Sequence, residues 1–251
     1  MSQSFHKSKW AEGKGQKVKD FSFASYLLPF ALFCFFLSPF SLSAQERETD
    51  LGASFSLEME KDLNRYFSLG VEEEVRLKDT NKGFDRNITA LGVEYSFLNK
   101  RMKAGAYYAF IYLYNSNFLY EPRHRYYLNL SYKQPLGDFT LFWRGRLQGT
   151  YRDESRGEYK INPKYIMKNK VELEYAFWGK PWKPYLSCDF YTSLNDPVMG
   201  YELSRMRYQG GVNWRLNRTD YLGFFLRYDH YLSADDSHTV SVGVTYKMKW
   251  L

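Results

Sequence analysis

Arginines recur in pairs two residues apart: Arg123 with Arg125, Arg144 with Arg146, and Arg205 with Arg207. Glu72, Glu74 and Arg76 keep the same step, as do Glu172 with Glu174 and Arg227 with Asp229. Glu94 and Asp189 stand singly in similar surroundings. A spacing of two places both members of a pair on one face of an extended chain. The chemistry open to them is therefore charge chemistry along one side of a sheet. Both signs occur in similar number, and buried charges need partners, so the first expectation is a structural network of ion pairs. The second is an arginine-lined path, because rings of arginine or lysine select anions.

Nucleophilic chemistry has thinner support. Beyond the N-terminal region the only histidines are His124, His230 and His238. A serine nucleophile needs a base within hydrogen-bond reach and a third group to orient that base. His230 shares a face with Tyr228 and has Ser233 and Asp235 nearby, Ser237 adjoins His238, and His124 lies between two arginines. None falls in a recognisable phospholipase or lipid A deacylase motif. The expectation is no catalytic residue and no enzyme, with a lipid-modifying hydrolase as the third choice after a barrel and a pore. No Gly-rich phosphate loop, zinc spacing or nucleic-acid module appears, so no cofactor, metal or nucleic-acid partner is expected. Cys188 alternates in step with Leu186 and Phe190, which makes it a small apolar outward residue rather than a redox centre.

The elements that carry these charges alternate. In 167–177, Met167, Asn169, Val171, Leu173, Tyr175 and Phe177 interleave with Lys168, Lys170, Glu172, Glu174 and Ala176. That period of two marks a β-strand with one oily and one polar face. The pattern recurs about ten times from residue 53 to the C-terminus, separated by turn residues, as in transmembrane β-barrels. Glu73 breaks the alternation of its strand. Bulky side chains on the oily face would overfill a barrel of this size, whose interior is already packed at about eight strands. The polar face mixes Gly, Ser, Ala and Asn with its charges and has room to point inward. Tyr95, Phe97, Tyr132, Phe177, Trp182, Trp214 and Trp250 fall at strand ends, where interfacial girdles lie. The fold expected is all-β, an antiparallel up-and-down transmembrane barrel of about ten strands, with twelve as the alternative, because bacterial barrels have even numbers.

The 251 residues carry a net charge of +7. Part of it is Lys7, Lys9, Lys14, Lys17 and Lys19, ahead of an apolar run from Phe21 to Phe40 and the small residues Ser41 to Ala44. This reads as an export signal cut after Ala44, removing Cys34 with it. Residues 1–44 are thus assigned to an N-terminal extension and signal peptide, and 45–251 to the barrel. Segment 45–62 is set outside the barrel as an irregular lead-in, to keep the strand number even. The location expected is the bacterial outer membrane. The partners expected are its lipid and lipopolysaccharide, and the barrel-assembly machinery, which reads a C-terminal strand ending near an aromatic. Lys82, Arg156, Lys160 and Lys164 are read first as solvated surface, with contact to lipopolysaccharide as the alternative.

The opposed columns Glu72/Glu74/Arg76, Arg123/Arg125, Arg144/Arg146 and Arg205/Arg207, with the length and the leader, resemble a domain-of-unknown-function family. Its members are small outer-membrane β-barrels of Gram-negative bacteria of the Bacteroidota type. The resemblance spans about 50 to 250 and implies location and fold. It brings no catalytic residues.

Overall fold

The computed structural model describes residues 49–78, 83–114, 120–153, 161–197, 200–232 and 237–250. The leader with its cleavage site and Cys34, the loop cations Lys82, Arg156 and Lys160, and Ser233 and Asp235 fall outside them.

Eleven strands close into one barrel: β1 (Thr49–Asp62), β2 (Phe67–Lys78), β3 (Gly83–Phe97), β4 (Met102–Tyr114), β5 (Tyr120–Leu136), β6 (Phe139–Arg152), β7 (Lys164–Tyr175), β8 (Trp182–Ser193), β9 (Leu203–Arg215), β10 (Asp220–Tyr231) and β11 (His238–Trp250). Each strand pairs antiparallel with its sequence neighbour, and β1 closes the barrel by pairing parallel with β11. The connections 63–66, 98–101, 137–138, 176–181 and 216–219 lie at one end with the end of β11. Those after β2, β4, β6, β8 and β10 lie at the other end with the start of β1.

Two expectations are corrected. Segment 49–62 is not a lead-in: it pairs with β2 from Gly52↔Lys78 to Asp62↔Ser68 and with β11 from Thr49↔His238 to Lys61↔Trp250. Among the described residues the strands therefore number eleven, where ten or twelve were expected, and the barrel is not wholly antiparallel. The two corrections have one cause. In an up-and-down meander of odd number, the first and last strands run the same way, so the seam between them must be parallel.

Local chemistry explains the tight ends. Leu98, Asn99 and Lys100 all take positive φ, at 49°, 55° and 63°, so the chain reverses within 98–101. Gly137, at φ 64°, supplies the left-handed position between β5 and β6, where a side chain would add steric cost. The ladder shifts register between Arg76 and Leu77 of β2 and between Tyr191 and Thr192 of β8, where the facing strands β3 and β9 carry one extra residue, as β-bulges do.

Candidate functional site: the charged lumen

The barrel is inside out relative to a soluble protein. Leu128, Val242 and Leu226 are 59%, 57% and 56% exposed, whereas Asp189, Arg207 and Asp229 are 3%, 5% and 5% exposed. The oily face is the outer wall and the charged face lines the lumen. Directly opposed residues in a ladder share a face, so the registers place every inward position. They put Glu72, Glu74, Arg76, Glu94, Arg123, Arg125, Arg144, Arg146, Glu172, Glu174, Asp189, Arg205, Arg207, Arg227 and Asp229 all on the inner wall. Glu73 stands opposite Leu57 and Thr89 on the outer wall, the exception that its broken alternation foretold. Cys188 also faces outward, opposite Val171 and Tyr208.

Eleven strands spaced about 4.8 Å and tilted about 40° give a cylinder about 11 Å in radius. An extended arginine covers more than half of that, so side chains from separate strands meet inside it. Toward the end where β1 begins, Arg207 donates to both oxygens of Asp229, at 2.6 and 3.0 Å. Arg76 donates to Glu74 at 2.8 Å, and Ser54 supports the same carboxylate at 2.9 Å. Arg227 reaches Glu74 at 3.7 Å from β10 to β2, bridging over β11 and β1. Arg205 packs on Tyr191, its guanidinium carbon 3.7 Å from the ring centroid, and Lys168 pairs with Asp189 at 3.4 Å. Arg123 is held by Glu121 at 2.7 Å.

Toward the other end lysines replace arginines. Lys103 bridges Glu60 and Glu94 at 3.0 and 2.9 Å, Lys249 joins Glu60 at 3.1 Å, and Lys183 meets Glu174 at 3.0 Å. Lys247 pairs with Glu58 at 2.9 Å and Lys170 with Glu172 at 2.5 Å. The wall of β3 to β5 is partly apolar. There Tyr107 stacks on Tyr127 at 4.9 Å against Ala90, Ala109 and Ile88, and donates to Glu94 at 2.8 Å. Tyr107 lies so closely over Gly92 across the ladder that a Cβ there would meet its ring at 2.2 Å. Only a hydrogen at that position lets the ring fill the lumen.

Several of these carriers lie beyond the arginine and glutamate pairs. Glu58 and Glu60 had no partner while their strand was set outside the barrel; Lys247 and Lys249 supply it across the parallel seam. The inner tyrosines were hidden because aromatics in a barrel sequence point first to the outer girdles. Those girdles are present: Phe139, Tyr175, Phe177 and Trp182 form a chain of ring contacts at the 176–181 end, from 4.8 to 4.4 Å. Tyr112 with Tyr120 and Tyr108 with Tyr126 do the same at the opposite end, at 4.8 and 5.2 Å. The histidines belong to this outer wall. His124 shares a hydrogen bond with the Tyr108 hydroxyl at its Nδ1, 2.7 Å, and His238 with the Tyr228 hydroxyl at 2.8 Å. At each of these two Nδ1 atoms the partner shown is a tyrosine hydroxyl.

A family described as "Protein of unknown function (DUF2490)" matches residues 52–246. The chain belongs to this family. The match starts inside β1 and ends inside β11, so the domain of unknown function is the whole closed sheet, seam included. Among curated proteins, no relative matches the chain. Two solved structures are similar in shape. A bacterial polysaccharide outer membrane secretin is 16% identical, with a TM-score of 0.49 over 72% of this chain. The chain spans 63% of the secretin's length. The NanC porin is 12% identical, with a TM-score of 0.46 over 76% of this chain and 93% of the porin.

Proposed function

We propose that this member of the domain-of-unknown-function family is an outer-membrane β-barrel whose lumen is filled by an ion-pair network, serving a structural or interaction role. The inversion of burial carries this reading: oily side chains cover the outside while charges are packed inside. Only a solvent of lipid rewards that arrangement. The dimensions agree. Tyr165 and Tyr175 both face outward on β7, ten residues apart. At about 3.3 Å per residue and about 40° of tilt, they are separated by about 25 Å along the barrel axis, the height of the apolar band in such barrels. With the tight connections on the periplasmic side, β11 ends there, where assembly machinery would meet its terminal Trp250. The loop end then faces lipopolysaccharide.

The lumen network supports a sealed interior, since cations of one strand are tied to carboxylates up to three strands away. A narrow anion-preferring pore is the second reading. It is favoured by Arg125, Arg144 and Arg146, which have no carboxylate within ion-pair distance among the described residues. A hydrolase is not proposed, because the Nδ1 atoms of His124 and His238 are bonded to tyrosine hydroxyls, and no bond to a serine among the described residues supports that reading. Single-channel recording of the purified barrel in a planar bilayer separates the first two. The expected outcome is a silent barrel whose heat-modifiable gel mobility shows it folded. Steady anion-selective openings, lost on replacing Arg144 and Arg146, would put the pore first.

A further inference from the structure

Among the described residues, cations elsewhere in the lumen reach a carboxylate, sometimes sharing one, but one wall differs. On β5 and β6 three guanidiniums point into the lumen without a carboxylate in ion-pair distance among the described residues. Arg125 donates to the Thr150 hydroxyl at 3.0 Å. Arg146 donates to the Asn129 side-chain oxygen at 2.8 Å and lies 4.0 Å over the Tyr127 ring. Arg144 makes no hydrogen bond that satisfies its Nε, which is buried. These contacts are to neutral groups and leave the charges uncompensated. Glu72, from β2, lies within electrostatic reach of Arg144 and Arg146, but beyond ion-pair distance. Glu58 and Asp189 also lie within electrostatic reach of Arg144, but each is already paired with a lysine, Lys247 and Lys168 respectively. Three cations against the single carboxylate among these that has no ion-pair partner of its own, Glu72, leave an excess of positive charge in a confined space.

Buried charge without a partner is costly, and guanidiniums are matched by planar or tetrahedral oxyanions through paired hydrogen bonds. We propose that Arg125, Arg144 and Arg146 form an oxyanion-binding site in the lumen, which takes the carboxylate or phosphoryl group of a solute and so completes the charge network. The site rests on the lumen-facing arrangement described above, and it is independent of whether the lumen conducts. Arg144 Nε supplies the unfilled donor, and Asn129 marks the place where a carboxylate oxygen fits.

That last point gives the test. Asn129→Asp places a carboxylate at the same position as the neutral oxygen now accepting from Arg146. The barrel purified in detergent is heated in chloride, inorganic phosphate or acetate at matched ionic strength, and the midpoint is read from heat-modifiable gel mobility. Phosphate stabilises folded chains generally by exclusion from their surfaces, so the comparison between variants decides. Wild type is expected to gain several degrees in an oxyanion over chloride, and Arg144→Gln/Arg146→Gln to lose most of that gain. Asn129→Asp is expected to raise the midpoint in chloride and to blunt the oxyanion response. A gain in phosphate alone assigns a phosphoryl ligand, and a gain that includes acetate assigns a carboxylate-type oxyanion. Equal gains in wild type and the double variant would overturn the site. If the double variant does not fold, a midpoint lowered by Asn129→Asp would do so. Bilayer recording of the same preparations reads the seal separately, so a conducting barrel that binds no oxyanion sinks each idea on its own readout.

Discussion

Arg207 and Asp229 show what the inner residues do for one another. Both are nearly inaccessible, and two parallel hydrogen bonds join them across the β9–β10 ladder. Removing one partner of such a pair strands a buried charge, at a cost of about 3–5 kcal/mol, whereas replacing both with apolar groups is often close to neutral. Asp229→Asn is therefore expected to lower the unfolding free energy by about 3 kcal/mol or more in urea titrations of the barrel in lipid vesicles. Arg207→Met/Asp229→Leu should recover most of that loss. If both variants lose equally, the pair is part of a wider cluster in which Arg205, 3.9 Å from Asp229, also needs the carboxylate. The spacing of two in the sequence put each of these charges on one face. Which carboxylate each arginine would meet was not legible, because partners such as Arg227 and Glu74 lie far apart in the chain and come together only by closure.

At the level of the element, the seam is the informative feature. The alternation of Ala53, Phe55, Leu57 and Met59 with Ser54, Ser56, Glu58 and Glu60 is that of a strand. Parity argued for setting it aside, yet odd-numbered membrane barrels exist. The parallel register matches Ala53 with Val242 and Phe55 with Val244. In a Cys188→Ser background, Ala53→Cys with Val242→Cys is expected to form an intramolecular disulfide on mild oxidation, read as a mobility change of the unfolded chain. Ala53→Cys with Val244→Cys, displaced by two residues, should cross-link far less, since a bridge needs Cα atoms within about 7 Å in a narrow geometry. Equal yields would mean that β1 does not hold this register.

For the whole molecule, an odd strand number separates the ends of the barrel. The start of β1 shares an end with the connections after the even-numbered strands, and the end of β11 lies opposite. With the tight turns in the periplasm, a cysteine at Asn195, in the connection after β8, is expected to react with a membrane-impermeant maleimide on intact cells. One at Asn217, in the turn before β10, should react only after the outer membrane is opened. The reverse pattern would invert the barrel. A silent barrel in the bilayer and this sidedness are independent properties, and either can fail alone.

The sequence by itself determined the class of fold, the face taken by the charged residues and the aromatic girdle at the tight-turn end. All of these follow from a local period of two and from which residues lipid and lumen accept. It also placed Glu73 on the wrong face, where the ladder has it. Tertiary structure decided the closure: that β1 completes the wall, that Glu58 and Glu60 meet Lys247 and Lys249, and that Tyr107 fills the lumen beside Gly92. It also decided which arginines stay without a carboxylate. Closure sets which strands face each other across the lumen, and pairing across a lumen leaves no trace in the spacing of residues along one strand.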